Sequence, residues 1–291
     1  VPEPELLIGP IGLEGKIVAQ IDSAQSTLEV ASYQLSRANV VSAIIDAHQR
    51  GVKTRVMVDG DQYVNGKSKQ QMLAAGVEVK NAPAEFEHGH AKLVIVDGVR
   101  ATILSGNLND YTMVTERNYG VIDTAWDDVA DVRAIFERDW SGAALDLACT
   151  RLIVSPENAR ERIGGLIEGA KQKLDLSVMY ISDKDTKAAV KARAAAGVPT
   201  RVLLAHPGWI EENAQTAQEL QAAGIPAKYM GNLDLHAKLV IADGVAYVGS
   251  TNMSWTSIEK NREVGVFVTE PGPAAKIQAQ FEQDWGGGLK P

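Results

Sequence analysis

His88-Gly89-His90-Ala91-Lys92-Leu93-Val94-Ile95-Val96-Asp97-Gly98 decides how this chain is read, because it occurs again as Asp234-Leu235-His236-Ala237-Lys238-Leu239-Val240-Ile241-Ala242-Asp243-Gly244. Both copies carry His-x-Lys-x-x-x-x-Asp, and the offset is 236 − 90 = 146. Each reads as a strand followed by an Asp-Gly turn into a second apolar run, a strong hairpin signal. His and Lys two residues apart on a strand point to the same face.

The repeat extends outward. Ile21-Asp22-Ser23-Ala24 and the following TLEVASYQLS match Ile167-Glu168-Gly169-Ala170 and KLDLSVMYIS at the same offset. Gly51-Val52-Lys53-Thr54-Arg55-Val56 matches Gly197-Val198-Pro199-Thr200-Arg201-Val202. Phe136-Glu137-Arg138-Asp139-Trp140 matches Phe281-Glu282-Gln283-Asp284-Trp285 after a one-residue slip. This is a duplication of one unit. It divides the chain into 1–140, a small-residue connector 141–150, and 151–291.

Periodicity predicts helices over 14–24, 39–49, 67–75 and 126–139, and strands over 27–33, 54–58, 91–96, 100–104 and 119–122, with the same order in the second half. Alternating helices and strands give an α/β class: two pseudo-symmetric repeats, each a mixed sheet flanked by helices. One His and one Lys per repeat imply a single composite site at their interface. A histidine, an ammonium and downstream polar groups suit phosphoryl transfer, which needs a nucleophile, an acid and a clamp for non-bridging oxygens.

Composition narrows the rest. With 29 Lys and Arg against 37 Asp and Glu, the net charge is −8, which opposes general attraction to a polyanion. Cys149 is the only cysteine, so neither an internal disulfide nor a cysteine metal site is expected. No apolar run is long enough to span a bilayer. The chain starts at Val1 without Met, which points toward a mature secreted or periplasmic product and leaves a cytoplasmic one open.

With these motifs the chain resembles the phospholipase D superfamily over nearly its whole length. Such members continue with Gly-Ser-x-(x)-Asn. Here the second half has Gly249-Ser250-Thr251-Asn252 and the first has Leu104-Ser105-Gly106-Asn107. The resemblance implies a metal-independent, cofactor-free phosphodiesterase working through a phosphohistidine. It makes His90 the nucleophile and His236 the acid and base. Lys92, Lys238, Asn107 and Asn252 would hold the phosphoryl oxygens, with Ser105 and Ser250 nearby, and Asp97 and Asp243 would brace the strands. It also implies an acidic residue bonded to the catalytic His. That is Glu263 in the second half, expected beside His236, while the aligned first-half residue is Asn118, expected beside His90. On that pairing the carboxylate would keep His236 protonated as the acid, and the amide would leave His90 neutral and nucleophilic. Glu116 and Asp110 are the candidates to supply the missing carboxylate.

Other residues divide between site and scaffold. Ser105, Ser250, Asn118, His206 and Trp255 are candidate substrate contacts, and Trp209, like Trp255 in a loop after a strand, is a candidate for lining a lipid entrance. His88 with Glu85 or Glu87 suggests a metal site, but Asp234-Leu235 at the repeat position favours a polar rim. The implied partners are a phospholipid or other phosphodiester and an acceptor water or alcohol, acting on a monomeric chain. A nuclease of the same superfamily and a non-catalytic scaffold are the alternatives. Glu85, Glu87 and Asp234 near the motifs favour a zwitterionic lipid head group over a nucleic-acid backbone.

Overall fold

The computed structural model describes residues 2–291. The first half runs β1 (Glu5–Ile8), α1 (Leu13–Asp22), β2 (Thr27–Ser32), α2 (Ala38–Gln49), β3 (Lys53–Val58), α3 (Asn65–Ala74), β4 (Glu78–Asn81), β5 (Leu93–Val96), β6 (Arg100–Leu104), α4 (Asp110–Val114), β7 (Glu116–Arg117), β8 (Tyr119–Asp123) and α5 (Trp126–Ser141). The second half runs β9 (Leu152–Ser155), α6 (Ala159–Gly169), β10 (Leu174–Val178), α7 (Lys184–Ala195), β11 (Thr200–Leu204), α8 (Asn213–Ala222), β12 (Ala227–Tyr229), β13 (Asp234–Leu235), β14 (Lys238–Ala242), β15 (Val245–Gly249), α9 (Trp255–Glu259), β16 (Glu263–Val268) and α10 (Pro271–Gly286).

Each half builds one seven-stranded mixed sheet, β1-β8-β6-β5-β2-β3-β4 and β9-β16-β15-β14-β10-β11-β12. The two orders correspond strand for strand, which is the duplication in three dimensions. The Asp-Gly turns are built as expected. Asp97 and Gly98 have φ of 54° and 64°, and Asp243 and Gly244 of 51° and 88°. Two consecutive left-handed residues match the twist of the flanking strands, and Asp followed by Gly tolerates that backbone best.

Apolar periodicity places the helices. The outer face of the first sheet packs on α1 and α2 through Ile17, Ile21, Val40 and Ile44. The outer face of the second packs on α6 and α7 through Ile163, Ile167 and Val190. The inner faces share a single core: Ile95, Ile103 and Phe136 of the first half lie in one cluster with Leu239, Val248 and Phe281 of the second. The two halves are therefore joined by hydrophobic burial as well as by chain. Truncating a fully buried Phe at this seam removes about 3–5 kcal/mol.

Several elements escaped the sequence reading. The edge strands β1, β4 and β12 and the five-residue helices α4 and α9 are too short for a periodic signal. Both short helices are capped by side chains, Asn109 accepting from the Thr112 N–H at 3.0 Å and Ser254 from the Ser257 N–H at 3.3 Å. β5 begins at Leu93, so His90 and Lys92 sit in its extended lead-in rather than inside the strand.

Candidate functional site

The motif strands enter the site through backbone bonds made with the opposite half. β13 pairs in parallel with β7, setting Asp234 against Glu116 and Leu235 against Arg117. The His236 N–H donates to the Arg117 carbonyl at 3.2 Å. The symmetric contact joins Gly89 to Arg262, and the His90 N–H donates to the Arg262 carbonyl at 2.9 Å. Each histidine is thus docked on the residue that precedes the other half's orienting position.

This docking crosses the expected partners. His90 Nδ1 lies 2.8 Å from Glu263 Oε2. His236 Nδ1 lies 3.2 Å from Asn118 Oδ1 and 3.4 Å from Glu116 Oε2. The expectation that Glu263 serves His236 and Asn118 serves His90 is therefore corrected. It assumed that each repeat completes its own histidine, whereas the parallel bridges carry each orienting side chain across the seam. Asp110 pairs with Arg37 at 2.9 Å instead.

The orienting groups are themselves held. Glu263 accepts from Ser257 Oγ, and from Asn261 Nδ2 at 3.0 Å. Asn118 Nδ2 donates to Glu116 Oε2 at 3.0 Å, and Ser105 Oγ donates to Asn118 Oδ1 at 2.8 Å. Those two bonds fix the amide orientation and turn Oδ1 toward His236 Nδ1, which the Lys238 ammonium also approaches to 3.3 Å. The first half reads Glu116-Arg117-Asn118 and the second Asn261-Arg262-Glu263. Carboxylate and amide have exchanged places around a shared arginine. Both histidines face a carboxylate and an amide from the other half, but in opposite order of approach.

The arginines anchor the crossing. Arg262 makes a two-pronged bond to Asp139 at 2.9 and 3.1 Å, and Arg117 one to Asp284 at 2.8 and 3.0 Å. Asp139 and Asp284 are the acids of the repeated Phe-Glu-x-Asp-Trp motif. That match showed the duplication in sequence but not the pairing, because nothing local connects α5 to β16.

Lys92 and Lys238 are buried, and each ammonium donates to the carbonyl of its own motif histidine, Lys92 at 2.6 Å. Burial drags both down. Lys238 falls to about 7, with Glu116 and then Glu263 opposing the fall. Lys92 falls well below its ordinary value, opposed mainly by Glu263, with Lys238 adding to the fall. Burial likewise lowers His90 to about 4 against the pull of Glu263, and lowers His236 well below its ordinary value, with Lys238 and Lys92 adding to the fall. Glu263 is held down to about 2: burial opposes its ionisation, but His90 and Lys92 outweigh it. The His90 cation that would hold Glu263 low is the form that burial disfavours. At neutral pH we write the pair as a neutral imidazole donating Nδ1–H to a carboxylate, because burial is the largest cause at His90.

Both Nδ1 atoms are engaged, and among the described residues neither Nε2 has a hydrogen-bond partner. The side-chain oxygens of Asn107 and Asn252 are buried without a hydrogen-bond partner, and it is their Nδ2–H groups that a phosphoryl oxygen would accept from. Tyr33 stands edge-on to His90 at 4.7 Å between ring centroids, and Trp209 lies 6.3 Å from His236. A cleft of about 790 Å³ is lined by Trp209, His206, Val114 and Asp234, with Trp209 the wall residue that also stands beside His236.

The remaining candidates fall outside this cluster. Ser105 and Ser250 are buried behind it and accept from the Tyr119 and Val264 N–H groups at 2.9 and 3.1 Å. They brace the backbone rather than face a substrate, a correction to their expected contact role. Asn118 is the exception: it lies inside the cluster, where both ends of its amide are taken up by His236, Ser105 and Glu116. Trp255 begins α9 on the surface, with the Lys260 ammonium 5.4 Å over its ring. His206 accepts from the Gly208 N–H at 3.0 Å and reaches the cleft wall only. Asp97 accepts from the Gln25, Ser26 and Thr27 N–H groups at 2.7–3.2 Å, and Asp243 from those of residues 171–173 at 2.7–2.9 Å. They tie each hairpin to the strand beside it. His88 lies 3.8 Å from Asp59, and among the described residues no group of three or more His, Cys, Asp or Glu is arranged to hold a metal ion.

The family described as cardiolipin synthase, PLD-like domain, matches residues 17–140 and 163–285. The chain belongs to the phospholipase D superfamily. Among curated superfamily relatives, the probable cardiolipin synthase YwiE of Bacillus subtilis is 23% identical over 84% of this chain and 57% of its own length. The cardiolipin synthase of Oceanobacillus iheyensis is 23% identical over 92% of this chain and 65% of its own. The chain thus spans less than two thirds of the length of these relatives. Among solved structures, the phosphatidylserine synthase of Haemophilus influenzae superposes with a TM-score of 0.74 at 12% identity, covering 97% of this chain and 85% of that one. At such identity the superposition speaks for the superfamily fold alone.

Proposed function

We propose that this chain cleaves a phosphodiester bond of a phospholipid and transfers the phosphatidyl group to water or to an alcohol. The observation that carries this reading is the convergence of two histidines, each held at Nδ1 and free at Nε2, on two buried ammonium groups. The names of the curated relatives support a phospholipid substrate.

In the proposed sequence His90 Nε2 attacks phosphorus and the bond to the leaving oxygen breaks. His236 gives that oxygen its proton. The resulting phosphoimidazole is cationic, and Glu263 at Nδ1 stabilises it while fixing the tautomer that attacks. Neutral His236 then takes a proton from water or an acceptor alcohol, whose oxygen displaces His90. Lys92, Lys238, Asn107 and Asn252 hold the non-bridging oxygens. The substrate's own negative charge raises both histidines and both lysines from their depressed values, so the protonated acid forms when it is needed. His90 remains the nucleophile, now because it holds the direct carboxylate rather than because it lacks one.

The test is turnover of phosphatidylcholine, phosphatidylglycerol and single-stranded DNA in parallel, with alkaline quenching and mass spectrometry of the adduct. Phospholipid turnover with the phosphoryl group on His90 is expected. An adduct on His236 reverses the roles, and cleavage confined to DNA overturns the substrate class.

A further inference from the structure

We propose that the rim of the catalytic cleft docks on the surface of a zwitterionic lipid bilayer by inserting aromatic side chains. The proposal rests on the reading of phospholipid as substrate, which requires the site to reach a lipid surface.

Sheet topology defines the rim. His90 leads into β5, whose Leu93 pairs with Ala31 of β2 and with Ile103 of β6. The site therefore lies at the edge where β2, β3 and β6 end, and correspondingly where β10, β11 and β15 end. Connections leaving that edge carry Tyr63 after β3, Tyr111 on α4 after β6, Trp209 after β11 and Trp255 on α9 after β15. These are four of the five exposed large aromatic residues among the described ones, with 100%, 66%, 41% and 55% of their surface open. The fifth, Trp126, follows β8, whose Asp123 pairs with Ala101 at the opposite edge. Val64 and Val114 stand exposed beside Tyr63 and Tyr111. Trp209 and Val114 line one cleft, and the Trp209 ring lies 6.3 Å from that of His236, which connects the rim to the site.

Exposed aromatic rings gathered on one edge are unfavourable in water and mark a contact surface. Tyr and Trp suit a membrane interface, where the ring enters the acyl boundary and the polar atom stays with the head groups. Charge decides which bilayer. The same edge carries Lys67, Lys69 and Lys260 together with Glu85, Glu87, Asp110 and Asp234, and the chain as a whole is at −8. No net attraction to an anionic surface results, so ring insertion, rather than electrostatics, drives docking.

The experiment is co-sedimentation with phosphatidylcholine vesicles, using the wild type, His90→Asn, the rim variant Tyr63→Ser/Tyr111→Ser/Trp255→Ser and the control Trp126→Ser. Wild type, His90→Asn and Trp126→Ser should bind alike, with little change as salt is raised. The rim variant should lose roughly tenfold or more in partitioning. Tyr63→Ser/Tyr111→Ser should keep turnover of a soluble bis-aryl phosphodiester, showing an intact site. No wild-type binding, equal binding by the rim variant, or a wild-type dimer that the rim variant dissolves would each overturn the proposal. Vesicle binding through the rim without phospholipid turnover removes only the substrate reading. Turnover in detergent micelles without vesicle binding removes only the docking.

Discussion

His90 and His236 come from sequence copies that share His-Ala-Lys-Leu-Val-Ile and the closing Asp-Gly, yet they stand in different surroundings. His90 meets a carboxylate at 2.8 Å with an amide behind it, and His236 meets an amide at 3.2 Å with a carboxylate just beyond, at 3.4 Å. The same two groups in reversed order give one imidazole a fixed charge partner and the other a neutral one. On the proposed mechanism, a duplicated site divides the labour of nucleophile and acid without changing either histidine, through exchange of two residues on the opposite strand.

The bluntest way to break the comparison is to remove either imidazole. His90→Asn and His236→Asn should each lower turnover by about ten-thousand-fold or more, since neither displacement proceeds without both groups. Steady-state assay on a soluble phosphodiester checks this, and a residual rate within a hundredfold for either variant would break the two-histidine scheme.

The next largest effect separates the orienting carboxylates. Glu263→Gln should cost roughly a thousandfold in kcat, through loss of tautomer control and of charge opposite the phosphoimidazole. Glu116→Gln should cost only about tenfold, because Asn118 Oδ1 stays at 3.2 Å as the nearer acceptor for His236 Nδ1. Equal losses would mean that the exchange has no consequence. The double variant Glu116→Asn/Asn118→Glu sharpens the point: giving His236 a direct carboxylate should raise its pKa and move the limb of the pH–rate profile it governs to higher pH.

Stability should be asymmetric as well. Arg262 is buried and also binds Glu157 and the Ser155 carbonyl. Arg262→Ala should destabilise the fold by about 3–5 kcal/mol, leaving Asp139 buried without a partner. Asp139 is pushed up to about 6 by burial, with Arg262 opposing, so its protonation should soften the loss at lower pH. Arg117→Ala should cost less, roughly 2 kcal/mol, because Gln280 still reaches Asp284 at 2.9 Å. Urea titration at two pH values reads both.

The last effect is a pH slope. His90 sits at about 4 in the fold against an ordinary 6.5. Between those values the unfolded chain binds a proton that the native state refuses, so stability falls as pH drops through the window. Lys238 sits at about 7 against 10.5, so its contribution grows as pH rises from 7 toward 10.5. The two have the same sign. Thermal midpoints from pH 4 to 10 should show it, and His90→Asn should flatten only the acidic part.

Particular residues show what was legible. The matching phrases around His90 and His236, the Asp-Gly turns and the apolar runs of β3 and β11 are local patterns, and periodicity and turn chemistry read them directly. Glu116 was legible only as an alternative, because its sequence gives an acid near the right place and no direction. The roles of Arg117 and Arg262 were not legible: a surface arginine and a buried one look the same in a string of letters. Ser105 and Ser250 matched a motif, but a motif carries no exposure, and burial assigned them to the scaffold.

By itself the sequence determined that two copies of one α/β unit each offer a histidine and a lysine on one strand face, because side-chain alternation and turn preference are local properties of the chain. Only the tertiary structure decided which carboxylate serves which histidine. That choice is made by the pairing of β13 with β7 and of Gly89 with Arg262, contacts between residues more than a hundred positions apart, whose register is set by packing the two halves around a common core.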